Sequence, residues 1–367
     1  MFGFWFGTAC VCAVASPEVN KQEVIAIARD LMWRWGISSV RTVGVTNKEL
    51  YAPSIAPNLA PLVVVLGPTG AGKSGLALHL AQIFQGEIVN CDSVQVYRGL
   101  EIGSAKLPPT ERRGIVHHLL DVVDPDGELT AGSYAALARP VLDEIRNRNV
   151  IPFVTGGTGF YLRALLAGLS PAPPRNSQLR ARLAAIAARR PAALHRFVRR
   201  HDPESAARIH QNDRQKLIRS IELTVLARQP ASHVQSSPRR PLSGFRTLQI
   251  GLNPHRQSLY DALDARSERM FRHGLIEEVR TLLASGLDPD AKSLQTLGYK
   301  QAVEYIAGRL SLAEAIRECQ AKTRQYAKRQ LTWFRAEPAV QWLAGFGSDP
   351  IVQNDATLLV REFLGVY

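Results

Sequence analysis

The sequence predicts an α/β protein, a doubly wound parallel sheet interrupted by an α-helical insertion. Three observations predict it. The apolar run Leu62-Val63-Val64-Val65-Leu66 leads straight into Gly67-Pro68-Thr69-Gly70-Ala71-Gly72-Lys73-Ser74. Short apolar runs then alternate with amphipathic stretches, the pattern of parallel strands joined by crossover helices. After Ser170 an Ala/Arg-rich segment breaks that alternation.

The first of these is the most specific. It fits G-x-x-x-x-G-K-[ST] at the end of a buried strand, with Leu76, Leu78, Leu80 and Ile83 behind it as an amphipathic helix. Successive backbone N–H groups in such a loop form a nest for phosphate, and the helix N-terminus adds a favourable dipole. Lys73 would reach the outer phosphate and the Ser74 hydroxyl would ligate Mg²⁺. A Gly-rich turn that matches by chance is the competing reading. ATP and GTP are the usual occupants, but the cradle reads a pyrophosphate and no base.

The remaining strands follow in order. Glu87 to Cys91 reads as a second strand, Leu119 to Val123 as a third and Val150 to Thr155 as a fourth, with a helix from Tyr134 to Arg146 before it. Ligands bind at the carboxyl ends of such strands. Asp92 and the run Thr155-Gly156-Gly157-Thr158-Gly159-Phe160-Tyr161 fall there with the phosphate loop, so these segments are expected to share one crevice. Asp92 has three readings: a Mg²⁺ ligand through water, a general base, or the cap of the turn that follows it. Ser93 and Gln95 add hydrogen-bonding groups at a spacing of two, and glutamine can read an adenine edge.

From Pro171 the character is helical and basic. Eight arginines and no acidic residue occur between Arg175 and His201. Leu179, Leu183, Ile186, Leu194 and Phe197 would pack one face while arginines line the other; a solvated basic face is the plainer reading. A second basic helix starts at Asn212-Asp213-Arg214-Gln215-Lys216-Leu217-Ile218-Arg219, and Arg228 to Arg246 reads as a flexible connector. Thr247 to Leu252 is a fifth strand, and a helix from His255 to Arg272 brings Arg266 and Arg269. Gln295-Thr296-Leu297-Gly298-Tyr299-Lys300 precedes a long helix, Ser311 to Arg335, in which Lys322, Arg324, Lys328, Arg329 and Arg335 interleave with Tyr326, Trp333 and Phe334. That mixture suits phosphate contact with base stacking, although Trp333 or Phe334 would serve equally in a core. The expected organisation is an extension (1–60), a first core part (61–172), the insertion (173–243), a second core part with the basic helix (244–345) and a tail (346–367).

Bulk properties agree with a nucleic-acid partner. The chain has 367 residues, 46% of them hydrophobic, enough for one large or two medium cores. Lysine and arginine number 45 against 32 acidic residues, a net charge of +13 that favours a polyanion. Cys10, Cys12, Cys91 and Cys319 have neither metal-ligand spacing nor the density of a disulfide framework, which points to a reducing, cytoplasmic setting. The apolar stretch Phe2 to Ala15 is too short to span a bilayer and lacks a positive leader, so no membrane association is expected. Pro17 to Pro61 offers one helix, Lys21 to Trp35, and no motif; an over-extended start, with Met32 or a later residue as the true one, is the expectation, and residues 1–60 receive no function.

With these residues in view, the chain resembles the tRNA dimethylallyltransferases (tRNA isopentenyltransferases) from about Leu62 to Leu343. The resemblance rests on the phosphate loop, Asp92-Ser93-Val94-Gln95-Val96-Tyr97, Ile102-Gly103-Ser104-Ala105-Lys106, His117-His118-Leu119-Leu120-Asp121, Gly156-Gly157-Thr158-Gly159-Phe160-Tyr161, Leu297-Gly298-Tyr299-Lys300 and Lys328-Arg329-Gln330-Leu331-Thr332-Trp333-Phe334-Arg335. The loop alone is common; the ordered set is very specific. Leu107 stands where proline is usual and Lys300 where arginine is also common, neither at the chemistry. Without a Cys/His zinc finger after the last helix, the chain is similar to the bacterial form.

The resemblance implies a phosphate-loop fold and transfer of a dimethylallyl group from dimethylallyl diphosphate to N6 of adenosine 37, beside the tRNA anticodon. The loop would then hold diphosphate, with Mg²⁺ as cofactor. Asp92 would take the N6 proton, Thr158 would lie beside the reacting centre and Arg266 would help to bind the diphosphate. Gln95 and Ser93 would hold an adenine drawn out of its stack. The resemblance extends tRNA contact to Val94, Arg180, Gln215, Lys216, Leu217, Ile218, Arg219, Gln295, Thr296, Leu297, Gly298, Tyr299, Lys300, Lys328, Arg329 and Arg335, the anticodon stem-loop being gripped by a monomer. A small-molecule kinase leaves the insertion and last helix unexplained; a free-nucleotide isopentenyltransferase needs no surface for tRNA.

Overall fold

The computed structural model describes residues 59–337 and 339–366. The N-terminal apolar run, the helix expected over Lys21 to Trp35, Cys10 and Cys12 lie outside them. Six parallel strands form one sheet in the order β3-β2-β4-β1-β5-β6: β1 (Ala60–Leu66), β2 (Glu87–Asn90), β3 (His117–His118), β4 (Pro152–Thr155), β5 (Phe245–Leu252) and β6 (Val340–Leu343). Leu62 to Leu66 are all buried because both faces of β1 are covered. Leu62, Val64 and Leu66 face a core completed by α2 (Ala131–Asn147) and α3 (Gly159–Leu166). Val63 and Val65 face the opposite core, with α1 (Lys73–Ile83) and α13 (Pro350–Leu364) over it. The strand's period of two thus feeds two layers of helix.

Three local differences from expectation have physical causes. The third strand is only His117–His118, because Leu119 and Asp121 adopt positive φ (61° and 56°). Those turns aim Asp121 at the buried ammonium of Lys106, which also meets Glu101 at 2.8 Å and the Tyr97 carbonyl at 3.0 Å. Leu119 is apolar for its place in the core rather than for a strand. The stretch Arg228 to Arg246 is no simple connector: α8 (Ala231–Ser236) sits in it, pinned where the backbone N–H and hydroxyl of Ser232 donate to buried Asp202 at 2.9 and 2.8 Å. Residues after 345 include α13, whose Val352, Ala356 and Val360 are buried against the sheet.

The insertion is helical throughout: α4 (Ser177–Arg189), α5 (Pro191–His201), α6 (Pro203–Arg208), α7 (Arg214–Ala227) and α8. Leu183, Ala187, Leu194, Val198, Leu217, Ile218 and Ile221 make its own core. Ile186 and Phe197, expected inside, are 44% and 37% exposed, their places taken by Ala187 and Val198 one residue on. The helices α9 (Arg256–Arg272), α10 (Leu275–Ala284), α11 (Tyr299–Ile306) and α12 (Leu312–Phe334) complete the molecule at the strand ends. A capping box starts α12: Ser311 N–H donates to the Glu314 carboxylate at 2.8 Å and the Glu314 N–H returns to the Ser311 hydroxyl at 3.3 Å. No helix of the described residues is long and apolar enough to cross a membrane.

Candidate active site at the strand ends

The phosphate loop joins β1 to α1 and is held from several sides. At Gly72, φ is 84° and a Cβ would come within 3.0 Å of Gly347 N, so only glycine fits between the loop and the turn before α13. Gly347 N–H donates to the Ala71 carbonyl at 2.8 Å. On the other side Thr69 N–H donates to the Gln330 side-chain oxygen at 2.8 Å, and the Gln330 amide donates to the Gly157 carbonyl at 2.7 Å. One residue of α12 therefore ties together the loops after β1 and β4.

Inside this frame lies a cavity of about 280 Å³, bordered by Gly70, Gly72, Lys73, Ser74, Asp92 and Arg266 among others. Lys73 Nζ folds back to donate to the Pro68 carbonyl at 2.8 Å. Burial pushes its ammonium down to about 8, with the Asp92 carboxylate opposing the drop and the Arg266 guanidinium adding to it. Arg266 is itself lowered by burial and meets the Thr69 hydroxyl at 3.5 Å. Two cations sharing a buried pocket with one carboxylate leave excess positive charge, the complement of a diphosphate.

Asp92 Oδ1 accepts from Val94 N–H at 2.8 Å and Gln95 N–H at 3.4 Å, so the turn-capping reading holds geometrically. The residue also borders the cavity, so the cap fixes where its carboxylate stands. The loops after β2 and β4 interlock beside it. Thr158 Oγ1 accepts from Ser93 N–H at 3.0 Å and donates to Ser93 Oγ at 3.2 Å. A Cβ on Gly156 would sit 2.0 Å from the Cys91 carbonyl, which explains the glycine there. Thr158 thus positions the Asp92–Ser93 turn and does not border either cavity.

A second cavity, of about 290 Å³, adjoins the first and shares Thr69, Asp92, Ser104 and Arg266 with it. Ser93, Val94, the run Gln295 to Gly298, Met270, Tyr326 and Arg329 border it. The expected site residues on these loops therefore do converge. Gln95 differs: it borders the phosphate side, and its amide donates to the Ser104 and Ala105 carbonyls at 3.2 and 3.3 Å, so its donor edge is already engaged by the protein.

Other expected contacts need correction. Leu217 and Ile218 are core residues of the helical insertion, which leaves Gln215, Lys216 and Arg219 as the accessible members of that run. Tyr299 is fully buried and its hydroxyl donates to Glu278 at 2.6 Å, so it is a scaffold residue. Arg180 and Arg219 both meet Glu222, at 3.2 and 2.6 Å, and a third bond reaches that carboxylate from Asn176 N–H at 2.7 Å. Burial pushes the Glu222 carboxyl up, but Arg219, the Asn176 N–H and Arg180 outweigh it and hold it below its ordinary range. Lys300, Lys328 and Arg335 are exposed, and Arg335 donates to Asn253 at 3.2 Å. Trp333 lies against Gly159 with the Arg163 guanidinium 4.5 Å from its ring centre, and Phe334 is in the core.

Gln330, Arg269 and Ser104 join the site without carrying an assigned role in the sequence, and Tyr326, expected to serve base stacking, borders the second cavity. Gln330 stands as an uncharged amide between basic residues, a signal only in hindsight, since its two loop partners are remote in sequence.

A phosphate loop opening onto a second chamber beside a basic helix defines a phosphate-loop protein with room for two substrates. The chain matches the IPP transferase family over residues 95–337. It is 52% identical to the tRNA dimethylallyltransferase of Solibacter usitatus, covering 83% of this chain and 99% of that protein, and 48% identical to that of Koribacter versatilis, covering 82% and 98%. Among solved structures, the Bacillus halodurans tRNA isopentenylpyrophosphate transferase superposes with a TM-score of 0.61 at 34% identity, covering 83% of this chain and 95% of that one. A eukaryotic dimethylallyltransferase acting on tRNA gives a TM-score of 0.71 at 25% identity, covering 84% and 80%. The chain belongs to the IPP transferase family.

Proposed function

We propose that this chain transfers the dimethylallyl group of dimethylallyl diphosphate to N6 of adenosine 37 in tRNA, releasing diphosphate. The observation behind this reading is the meeting of the two cavities at Asp92: one is bordered by the phosphate loop with Lys73 and Arg266, which suits diphosphate, and the other, of about 290 Å³, suits an extruded base. In the transfer the C1–O bond to diphosphate breaks and the N6–C1 bond forms. The N6 proton passes to Asp92, whose carboxylate is set by the cap at Val94 and Gln95. Lys73 and Arg266 meet the charge that grows on the leaving diphosphate.

The residues present also suit Mg²⁺. Ser74, Asp92 and Thr155 all border the cavity and carry side-chain oxygens, and Mg²⁺ prefers such donors while keeping several waters. No cluster of three or more His, Cys, Asp and Glu exists among the described residues, so the remaining ligands would come from diphosphate and water. The cation would neutralise developing charge on the diphosphate.

On the tRNA side, the reading assigns the anticodon stem-loop to α12 and to the insertion, 173–243, with the enzyme acting as a cytoplasmic monomer. Arg182, Arg189, Arg190, Arg196, Arg199 and Arg200 are exposed along α4 and α5 and form no ion pair among the described residues, which supports a phosphate-facing role. The decisive assay offers radiolabelled dimethylallyl diphosphate with tRNA, with AMP, and ATP with small acceptors. Label in tRNA alone is the expected result; label in AMP, or phosphoryl transfer from ATP, would replace this reading.

A further inference from the structure

Thr155 ends β4, in register with Val65 of β1 and Asn90 of β2, so it stands at the strand end directly beside the phosphate loop. It is 7% exposed, and its hydroxyl oxygen is buried with no hydrogen-bond partner. Leaving such a group unpaired costs about 1–3 kcal/mol, so an unpartnered hydroxyl on a residue that borders a ligand cavity points to a partner brought by the ligand. Thr155 borders the phosphate cavity together with Ser74, and the two also border a small chamber of about 20 Å³ with Asn90, Gln95 and His117.

We propose that the Thr155 hydroxyl is a positioning group for the divalent cation at the phosphate loop, hydrogen-bonded to water in the cation's shell while Ser74 supplies the direct oxygen. The proposal rests on the diphosphate and Mg²⁺ reading above. Its chemistry is that of a strand-end hydroxyl: neutral, and able both to accept from a bound water and to donate to a diphosphate oxygen. Outer-shell partners of this kind orient what the cation holds, and their loss typically weakens metal binding about 10–100-fold. The small chamber gives the rival account, since about 10–15 Å³ suffices for one water, which would satisfy Thr155 without any cation.

The test uses Thr155→Val, which keeps the shape and removes the hydroxyl, and Thr155→Ser, which restores it. Mn²⁺ binding is followed by electron paramagnetic resonance with inorganic diphosphate present, and diphosphate binding by calorimetry with Mg²⁺ and with chelator. Thr155→Val should weaken Mn²⁺ binding about tenfold or more, with diphosphate affinity in chelator unchanged and Thr155→Ser close to wild type. Equal Mn²⁺ affinity in wild type and Thr155→Val overturns the proposal and assigns the hydroxyl to an internal water. A wild type that binds diphosphate equally with and without Mg²⁺ overturns the underlying cation reading as well. If the valine variant does not fold, Thr155→Ala is read in the same way.

Discussion

Gln330 accepts the Thr69 N–H at 2.8 Å, so a residue of the basic helix α12 holds the phosphate loop from outside the loop's own segment. Gln330→Ala removes this bond and the one to Gly157, leaving two polar backbone groups short of a partner. Dimethylallyl diphosphate affinity should fall about tenfold, the scale of one buried group left unpaired, with tRNA affinity nearly intact. Donor affinity within twofold of wild type would mean that the loop keeps its shape without α12.

Asp92 has two duties that one substitution separates. Asn keeps an oxygen for Val94 and Gln95 but accepts no proton, whereas Ala loses both. Both variants should bind tRNA, and both should lose about 10²–10⁴-fold in single-turnover rate. An active Asp92→Asn enzyme would leave Asp92 as a turn cap only.

Lys73 sets a pH dependence whose sign is fixed. Its ammonium is pushed down to about 8 in the fold, against 10.5 when unfolded. Between those values the unfolded chain holds the proton and the folded chain does not, so Lys73 makes stability rise with pH there and imposes its full burial cost below about 8. A bound diphosphate favours the ammonium, so donor binding should take up a proton above pH 8, and affinity should fall by up to about tenfold per unit. Calorimetry in buffers of different ionisation enthalpy should show about one proton taken up at pH 9 and little at pH 7. Equal uptake in Lys73→Ala would assign the proton to another group.

Arg180 and Arg219 spend their charge on Glu222, whereas the exposed arginines of α4 and α5 do not. Replacing Arg182, Arg189 and Arg190 together should lower tRNA affinity and flatten its salt dependence, by about 0.7–0.9 in log–log slope for each phosphate no longer neutralised. Arg180→Ala should act mainly on insertion stability, since it removes one of the partners of a buried carboxylate. A salt slope unchanged in the triple variant would leave the insertion as a solvated decoration.

The phosphate loop, its strand and the alternation around it are legible because each rests on local pattern: a run of buried apolar residues and a fixed spacing of glycine, lysine and serine. Asp92 and the Gly156 to Tyr161 run fall where the convergence of strand ends puts them. What stays hidden depends on remote partners. Leu119 to Val123 reads as a strand until the pull of Lys106 on Asp121 is known. Leu217 and Ile218 sit in a motif yet serve a core, and Gln330 gains meaning only from Thr69 and Gly157. Short α8 and the packing of α13 leave little trace in composition, because each is fixed by what it lands on.

The order of strands also governs when the enzyme becomes competent during synthesis. β1 emerges first, yet its neighbours β4 and β5 come later, β5 only after the whole insertion has been made. The insertion, with local contacts and its own core, can fold while the sheet waits for its central pairings. Among the described residues the last hydrogen bond to reach the phosphate loop comes from Gly347, on Ala71, so a ribosome-stalled chain that has exposed residues only up to 343 should bind diphosphate more weakly although all six strands of its sheet exist. Donor binding therefore waits for the segment that follows β6, although the helical insertion is complete well before it.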